Sequence, residues 1–305
     1  MKLTVLLCLL LLPVSALADS ITHDGRDRTY ILEIPRGLDL PAPTVFVLHG
    51  GTRSATEIRR STDFHEQGAK SGFVTVYPDG VGNQWNDARD APAILRNQDG
   101  EDIDDVGFLT ALAAKLAADG VADPARIYAT GSSNGGMMSF RLACEAADIF
   151  AAFAPVIGNL PTKAEHTCKP ARPTPLLMIN GTDDKLIPWE GGAVASMFPG
   201  VRGTVLSTPR SIEIFRRLNG CSDAETVDQA HPEDFGTPLF VTWFKGCDGG
   251  SEVGLYRFEG MGHRWPESDR RWFGGRWDDI MGRAPDDFPA AQHIWDFFIR
   301  HSLRD

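Results

Sequence analysis

The sequence predicts an α/β protein with a mostly parallel sheet covered by helices on both faces. Two observations carry that expectation. Short apolar runs alternate with segments whose apolar residues recur at helical spacing. One run, "TVFVLHGG" at 44–51, is apolar almost throughout, as suits a strand buried on both faces. In such sheets ligands bind at the carboxyl ends of the strands, so functional residues are sought there.

The strands and helices follow in order. "TYILEIP" (29–35) and 44–51 read as strands, and "FVTVYPDG" (73–80) as another that ends in a Pro-Asp-Gly turn. A helix starts at Asp104-Asp105, whose carboxylates cap free amides and oppose the helix dipole. Val106, Leu109, Ala113 and Leu116 give it an apolar face. "ARIYAT" (125–130) is a strand, and a helix runs on from Asn134. "PLLMING" (175–181), "LFVTWF" (239–244) and "EVGLYRFEG" (252–260) are further strands. The last helix, "AAQHIWDFFIRH", is amphipathic through Ala291, Ile294, Trp295 and Phe298.

The chain has 305 residues, and the first 18 read as a leader. Lys2, an apolar run over 3–12 and Ala16-Leu17-Ala18 make the pattern of a secretory signal peptide cut after Ala18. The run is short for a span of about 20 residues, which disfavours the alternative of a membrane anchor. Cys8 does not follow a small residue, against a lipoprotein. Cleavage leaves 287 residues, 19–305, expected to form a single catalytic domain in the periplasm or outside the cell. No later run is long and apolar enough to span a membrane.

The net charge is −11, and −12 once Lys2 leaves with the leader. That argues against nucleic acid, which needs a basic face, and against anionic membrane surfaces. Cys144, Cys168, Cys221 and Cys247 remain, an even count that reads as two disulfides in an exported chain. Three connectivities are open. Their spacing does not resemble a zinc motif, and the acidic run "DGEDIDD" (99–105) does not fit an EF-hand loop. That run is expected to be a solvated loop with a helix cap. No metal or organic cofactor is expected.

"GSSNG" at 131–135 matches G-x-S-x-G between an apolar strand and a helix. A nucleophile there sits on a tight, strained turn. Side chains two positions either side would collide with the crossing strand and helix, and Gly131 and Gly135 remove that collision. The spacing selects Ser133; Ser132 lacks glycines at both offsets. A glycine-rich nucleotide turn is the alternative, but no G-x-G-x-x-G or Walker pattern is present.

A serine hydroxyl needs a base, and the base needs an acid to orient it. On this kind of fold the chain order is Ser, Asp or Glu, then His. His263 in "FEGMGHRWP" follows a strand, with Gly260 and Gly262 before it. His293 and His301 fall in the last helix, and His166 and His231 in polar loops. The acid should follow the strand at 175–181, where "NGTDDKLIPWEGG" offers Asp183 and Asp184. Spacing does not choose between them. The oxyanion needs two amides: the Asn134 N–H, and one from "LHGGT" (48–52), where Gly51 is favoured and Thr52 comes next. His49 is read as shaping that loop.

With these residues in view, the sequence resembles the secreted α/β-hydrolase esterases: polyhydroxybutyrate depolymerases and the related feruloyl and acetylxylan esterases. "LHGGTRSA", "YPDG" followed by "WND", "DDVGFLTAL", "DPARIYATGSSNGGMMSFRLACE", "FAAFAPVIG", "NGTDDKLIPWEGG", "GMGHRWP" and "IWDFF" carry the resemblance, from about residue 40 to 300. It implies an α/β-hydrolase fold, Ser133 as nucleophile, His263 as base and Asp184 as acid. It also implies the pairs Cys144–Cys168 and Cys221–Cys247. The chain departs from the family in having Asn180 where His is usual. A second departure is the long aromatic segment 267–287. Trp272 and Trp277 in that segment, with Trp85 and Trp189, are candidate walls of a substrate site, core packing being the alternative. The expected substrate is a small or oligomeric ester: a hydroxyalkanoate oligomer, a feruloyl or acetyl ester, or an aryl ester. A serine peptidase of the same fold and a non-catalytic binding protein on that scaffold are the alternatives.

Overall fold

A computed structural model describes residues 18–91, 102–195, 202–230, 235–266 and 276–303. Its strands, in chain order, are β1 (Ala18–His23), β2 (Arg26–Glu33), β3 (Ala42–Leu48), β4 (Val74–Pro78), β5 (Ala122–Ser132) and β6 (Ala152–Val156). They continue with β7 (Leu176–Gly181), the short β8 (Gly192–Ala193) and β9 (Thr204–Val205), then β10 (Asp223–Ala230), β11 (Leu239–Lys245) and β12 (Val253–Phe258).

Ten of these form one sheet in the order β1-β2-β4-β3-β5-β6-β7-β12-β11-β10. The six central strands, β4 to β12, run parallel. Antiparallel strands finish both edges. Every residue of β3, β6 and β7 is buried, so each sheet face needs a cover. On one face Phe108, Leu109, Leu112 and Leu116 of helix Asp105–Ala118 join Phe140 and Leu142 of helix Asn134–Glu145. Phe215 of helix Thr208–Leu218 completes that layer. On the other face helices Ala55–Ser61, Phe64–Ser71 and Ala290–Phe298 supply Ile58, Phe64, Ile294, Trp295 and Phe298. The predicted α/β-hydrolase architecture is the one found.

Local expectations fared unevenly. Asp104 caps its helix as expected, its carboxylate accepting the Gly107 amide at 2.9 Å. Asp105 does not belong to a solvated cap. Its side chain is fully buried and takes the Arg28 guanidinium at 2.6 Å and the Asn86 amide at 2.7 Å. Burial raises its pKa, and Arg28 opposes the rise. The pair ties β2 to the start of the helix. The disulfides pair Cys144 with Cys168 and Cys221 with Cys247. The first anchors the carboxyl end of the helix that follows Ser133.

Candidate active site

Four strand ends build the site. β3, β5, β7 and β12 are central and parallel, so the loops after them meet along one edge of the sheet. The loop after β5 is the tightest. Ser133 adopts φ 57°, ψ −115°, a conformation that costs a side-chain-bearing residue energy. Its amide donates to Val156 O at 3.0 Å and its carbonyl accepts from the Met137 amide at 2.9 Å, which holds the turn. A Cβ on Gly131 would lie 2.6 Å from the Gly135 backbone, and one on Gly135 only 2.3 Å from Leu48 O. Strand and helix cross too closely there for any side chain.

Ser133 Oγ lies 2.9 Å from His263 Nε2, and His263 Nδ1 lies 2.6 Å from Asp184 Oδ2. His263 and Asp184 are both buried. With the Asp184 carboxylate accepting from Nδ1–H, Nε2 is left to accept the serine proton. Asp184 Oδ1 accepts the Leu186 and Ile187 amides, each at 2.8 Å, so the carboxylate cannot swing away. Asp183 is exposed, and its amide donates to Met261 O at 3.0 Å. The His263 loop is clamped against its neighbours. A Cβ on Gly181 would meet Met261 O at 2.1 Å, and one on Gly262 would meet Met281 O at 2.2 Å.

Of the oxyanion candidates, Asn134 is the first residue of its helix, so its amide has no intrahelical acceptor. The Thr52 amide is already engaged by Asn83 O at 2.8 Å, which counts against Thr52 and favours Gly51. His49 is wholly buried, accepts the Gly80 amide on Nε2 at 2.9 Å and donates from Nδ1 to Gly50 O at 2.8 Å. Burial lowers its pKa and keeps the ring neutral, as that donor–acceptor pattern requires. Fixing the Gly50 carbonyl fixes the peptide whose other end is the Gly51 N–H.

The side chain of Asn134 contributes as well, which the sequence did not signal. Its Oδ1 accepts the Trp85 amide at 2.8 Å, while Nδ2 donates to Trp85 O at 3.0 Å and to Asp87 Oδ2 at 2.7 Å. The loop after β4 is thereby locked to the serine turn. Asn180, which stands where the family usually has His, donates to Asn159 Oδ1 at 2.8 Å and to Thr208 Oγ1 at 2.9 Å, in a buried network beneath the end of β7.

A cavity of about 580 Å³ opens over Ser133 and His263, within the usual range of small-molecule sites. Ile157, Ile187 and Trp265 form apolar wall. Trp85 does not line it: the ring is fully buried, with Nε1 on His49 O at 2.9 Å, so core packing claims it. Trp189 is half-buried outside the lining. Trp272 lies outside the described residues, and Trp277 falls on helix Arg276–Met281 with its side chain outside what is described. Sequence reasoning missed Trp265, although it stands two residues after His263. Among the described residues no cluster of ligating side chains could hold a metal.

The chain is 33% identical to NocK of Nocardia uniformis subsp. tsuyamanensis, named as an esterase, over 82% of this chain and 74% of that one. The chain belongs to the α/β-hydrolase esterases. This esterase is also 28% identical to feruloyl esterase B of Piromyces equi over 80% of its length, spanning 44% of that protein. Poly(3-hydroxyalkanoate) depolymerase C of Paucimonas lemoignei is 27% identical over 76% of the esterase and 57% of the relative. Residues 61–169, which include Ser133, match the prolyl oligopeptidase family. A solved thermostable esterase shares the fold, with a TM-score of 0.57 at 15% identity, over 94% of this esterase and 63% of that chain.

Proposed function

We propose that the esterase is exported and hydrolyses small or oligomeric carboxylic esters through a Ser133–His263–Asp184 triad. The observation that supports this most is the continuous contact Ser133 Oγ–His263 Nε2 (2.9 Å) and His263 Nδ1–Asp184 Oδ2 (2.6 Å) on a strained strand–helix turn. His263 takes the serine proton as Oγ attacks the ester carbonyl. Asp184 holds the ring tautomer and stabilises the imidazolium. The amides of Asn134 and Gly51 receive the oxyanion. His263 returns the proton to the leaving alcohol, an acyl-enzyme remains, and water repeats the attack and releases the acid. Export is supported by the leader pattern and the two disulfides. Hydroxyalkanoate, feruloyl and acetyl esters are the substrate classes that the relatives' names bring forward.

The match of residues 61–169 to the prolyl oligopeptidase family favours one second reading, a peptidase with the same triad order. One experiment addresses both. The mature protein is assayed on p-nitrophenyl butyrate, hydroxybutyrate oligomers, methyl ferulate, acetylated xylan and a prolyl peptide substrate, beside Ser133→Ala. Ester turnover is expected, with Ser133→Ala lowering kcat by about 10⁴-fold or more while the circular dichroism stays unchanged. Undiminished turnover by pure Ser133→Ala sinks the triad. Peptide turnover faster than any ester replaces the substrate class.

A further inference from the structure

The cavity wall is basic in an acidic protein. Among the described residues Arg53, Arg89, Arg202 and Arg264 line it, against a single carboxylate, Glu57, in a chain of net charge −11. Three of the four have partners. Arg53 pairs with Glu57 at 2.9 Å, Arg264 Nε donates to Gly282 O at 2.7 Å, and Arg89 is ion-paired with the buried Asp87 at 3.1 Å. Arg89 is only 6% exposed and faces the cavity, yet its Nε has no hydrogen-bond partner among the described residues. Asp87 Oδ2 lies 3.1 Å away without the geometry of a hydrogen bond and is taken by Asn134 Nδ2 at 2.7 Å. Arg202 Nε is likewise buried and unpartnered among the described residues.

The backbone next to Arg202 lies on the Arg89 side chain: a Cβ on Gly203 would come within 3.1 Å of Arg89 Cγ. Arg89 is also indexed to the serine. Asn134 follows Ser133 and grips Asp87, and Asp87 Oδ1 accepts the Arg89 amide at 3.1 Å. A guanidinium that lines a cavity can donate to a planar anion there, in charge-assisted hydrogen bonds stronger than neutral ones. A carboxylate suits the guanidinium fork and is a group that esters of hydroxy acids and diacids keep free.

We propose that Arg89 and Arg202 form a carboxylate-binding subsite beside Ser133, and that the preferred substrates are esters bearing a free carboxylate. This rests on the esterase reading, so the test separates the two. Binding is measured by calorimetry in Ser133→Ala protein at low salt. One pair is the linear 3-hydroxybutyrate dimer and its terminal methyl ester, with the carboxylate on the alcohol half. The other is monoethyl adipate and ethyl hexanoate, with the carboxylate on the acyl half.

In at least one pair the acid is expected to bind roughly tenfold or more tightly than its neutral partner, the effect of one charge-assisted pair. Arg202→Gln in the same background should abolish that difference. Arg89→Gln is the second variant, since its removal also leaves Asp87 without its cation. Equal binding within both pairs overturns the subsite, as does an acid advantage that survives both substitutions. Wild-type turnover of p-nitrophenyl butyrate is measured alongside. Its absence sinks the esterase reading, while the binding difference still decides the subsite.

Discussion

At the scale of single residues, the two adjacent aspartates show how far sequence reaches. Asp183 and Asp184 have the same chemistry and nearly the same spacing from the strand, so nothing in the string ranks them. Hydrogen bonding separates them: Asp184 faces His263 and two amides, and Asp183 faces solvent. Asp184→Asn keeps an acceptor for those amides but presents the wrong group or tautomer to Nδ1. It is expected to lower kcat/KM on p-nitrophenyl butyrate by about 10⁴-fold, as comparable changes do in serine hydrolases. Asp183→Asn should stay within about twofold, since exposed substitutions away from packed features do little. Steady-state kinetics on both variants check this, and the reverse ranking moves the acid. The strained turn at Ser133 was legible because its glycine neighbours report backbone crowding. Trp85 was not, because a tryptophan near a site reads the same whether it faces ligand or core.

Among the elements, the strand–helix turn was the most legible. Its constraint is steric and local, so it leaves glycines at fixed offsets. Gly135→Ala should therefore be severe. The new methyl would sit 2.3 Å from Leu48 O and 2.6 Å from His49 O, both backbone atoms that cannot step aside. A loss of roughly 3 kcal/mol or more is expected, at the upper end of overpacking costs. Chemical denaturation measures it, and a loss under about 1 kcal/mol would contradict so close a crossing. Other elements escaped the sequence reading for physical reasons. Helices Ala55–Ser61 and Phe64–Ser71 have about two turns each, too few to display a period. β6, "AFAPV", contains two alanines and a proline, which mutes its strand signal. Helix Thr208–Leu218 did leave a signal, Ser207 as cap with Pro209 in the first turn, which the apolar pattern alone does not pick up.

For the whole molecule, alternation of buried runs with helical stretches was enough for the α/β class, because a parallel sheet imposes it everywhere. The edges were harder to see. β1 and β10 border the sheet on one side only, so their sequences carry little of the apolar signal. Cross-links are the molecule-scale device. Cys144–Cys168 and Cys221–Cys247 close loops with sequence separations of 24 and 26. Replacing either pair by serines is expected to cost about 3 kcal/mol in the chain-entropy account. Urea titration of each double variant checks this, and a loss below about 1 kcal/mol for both would leave the cross-links without a stabilising role.

The clasp of Asn134 on the loop after β4 has a consequence for engineering. Residue 134 occupies a slot that the G-x-S-x-G signature leaves unspecified, yet it holds both the amide and the carbonyl of Trp85 and reaches Asp87. Positions 47 and 49 residues apart in the chain are therefore held as one mechanical unit. A loop grafted from a relative would arrive without its latch unless the residue after the serine travelled with it.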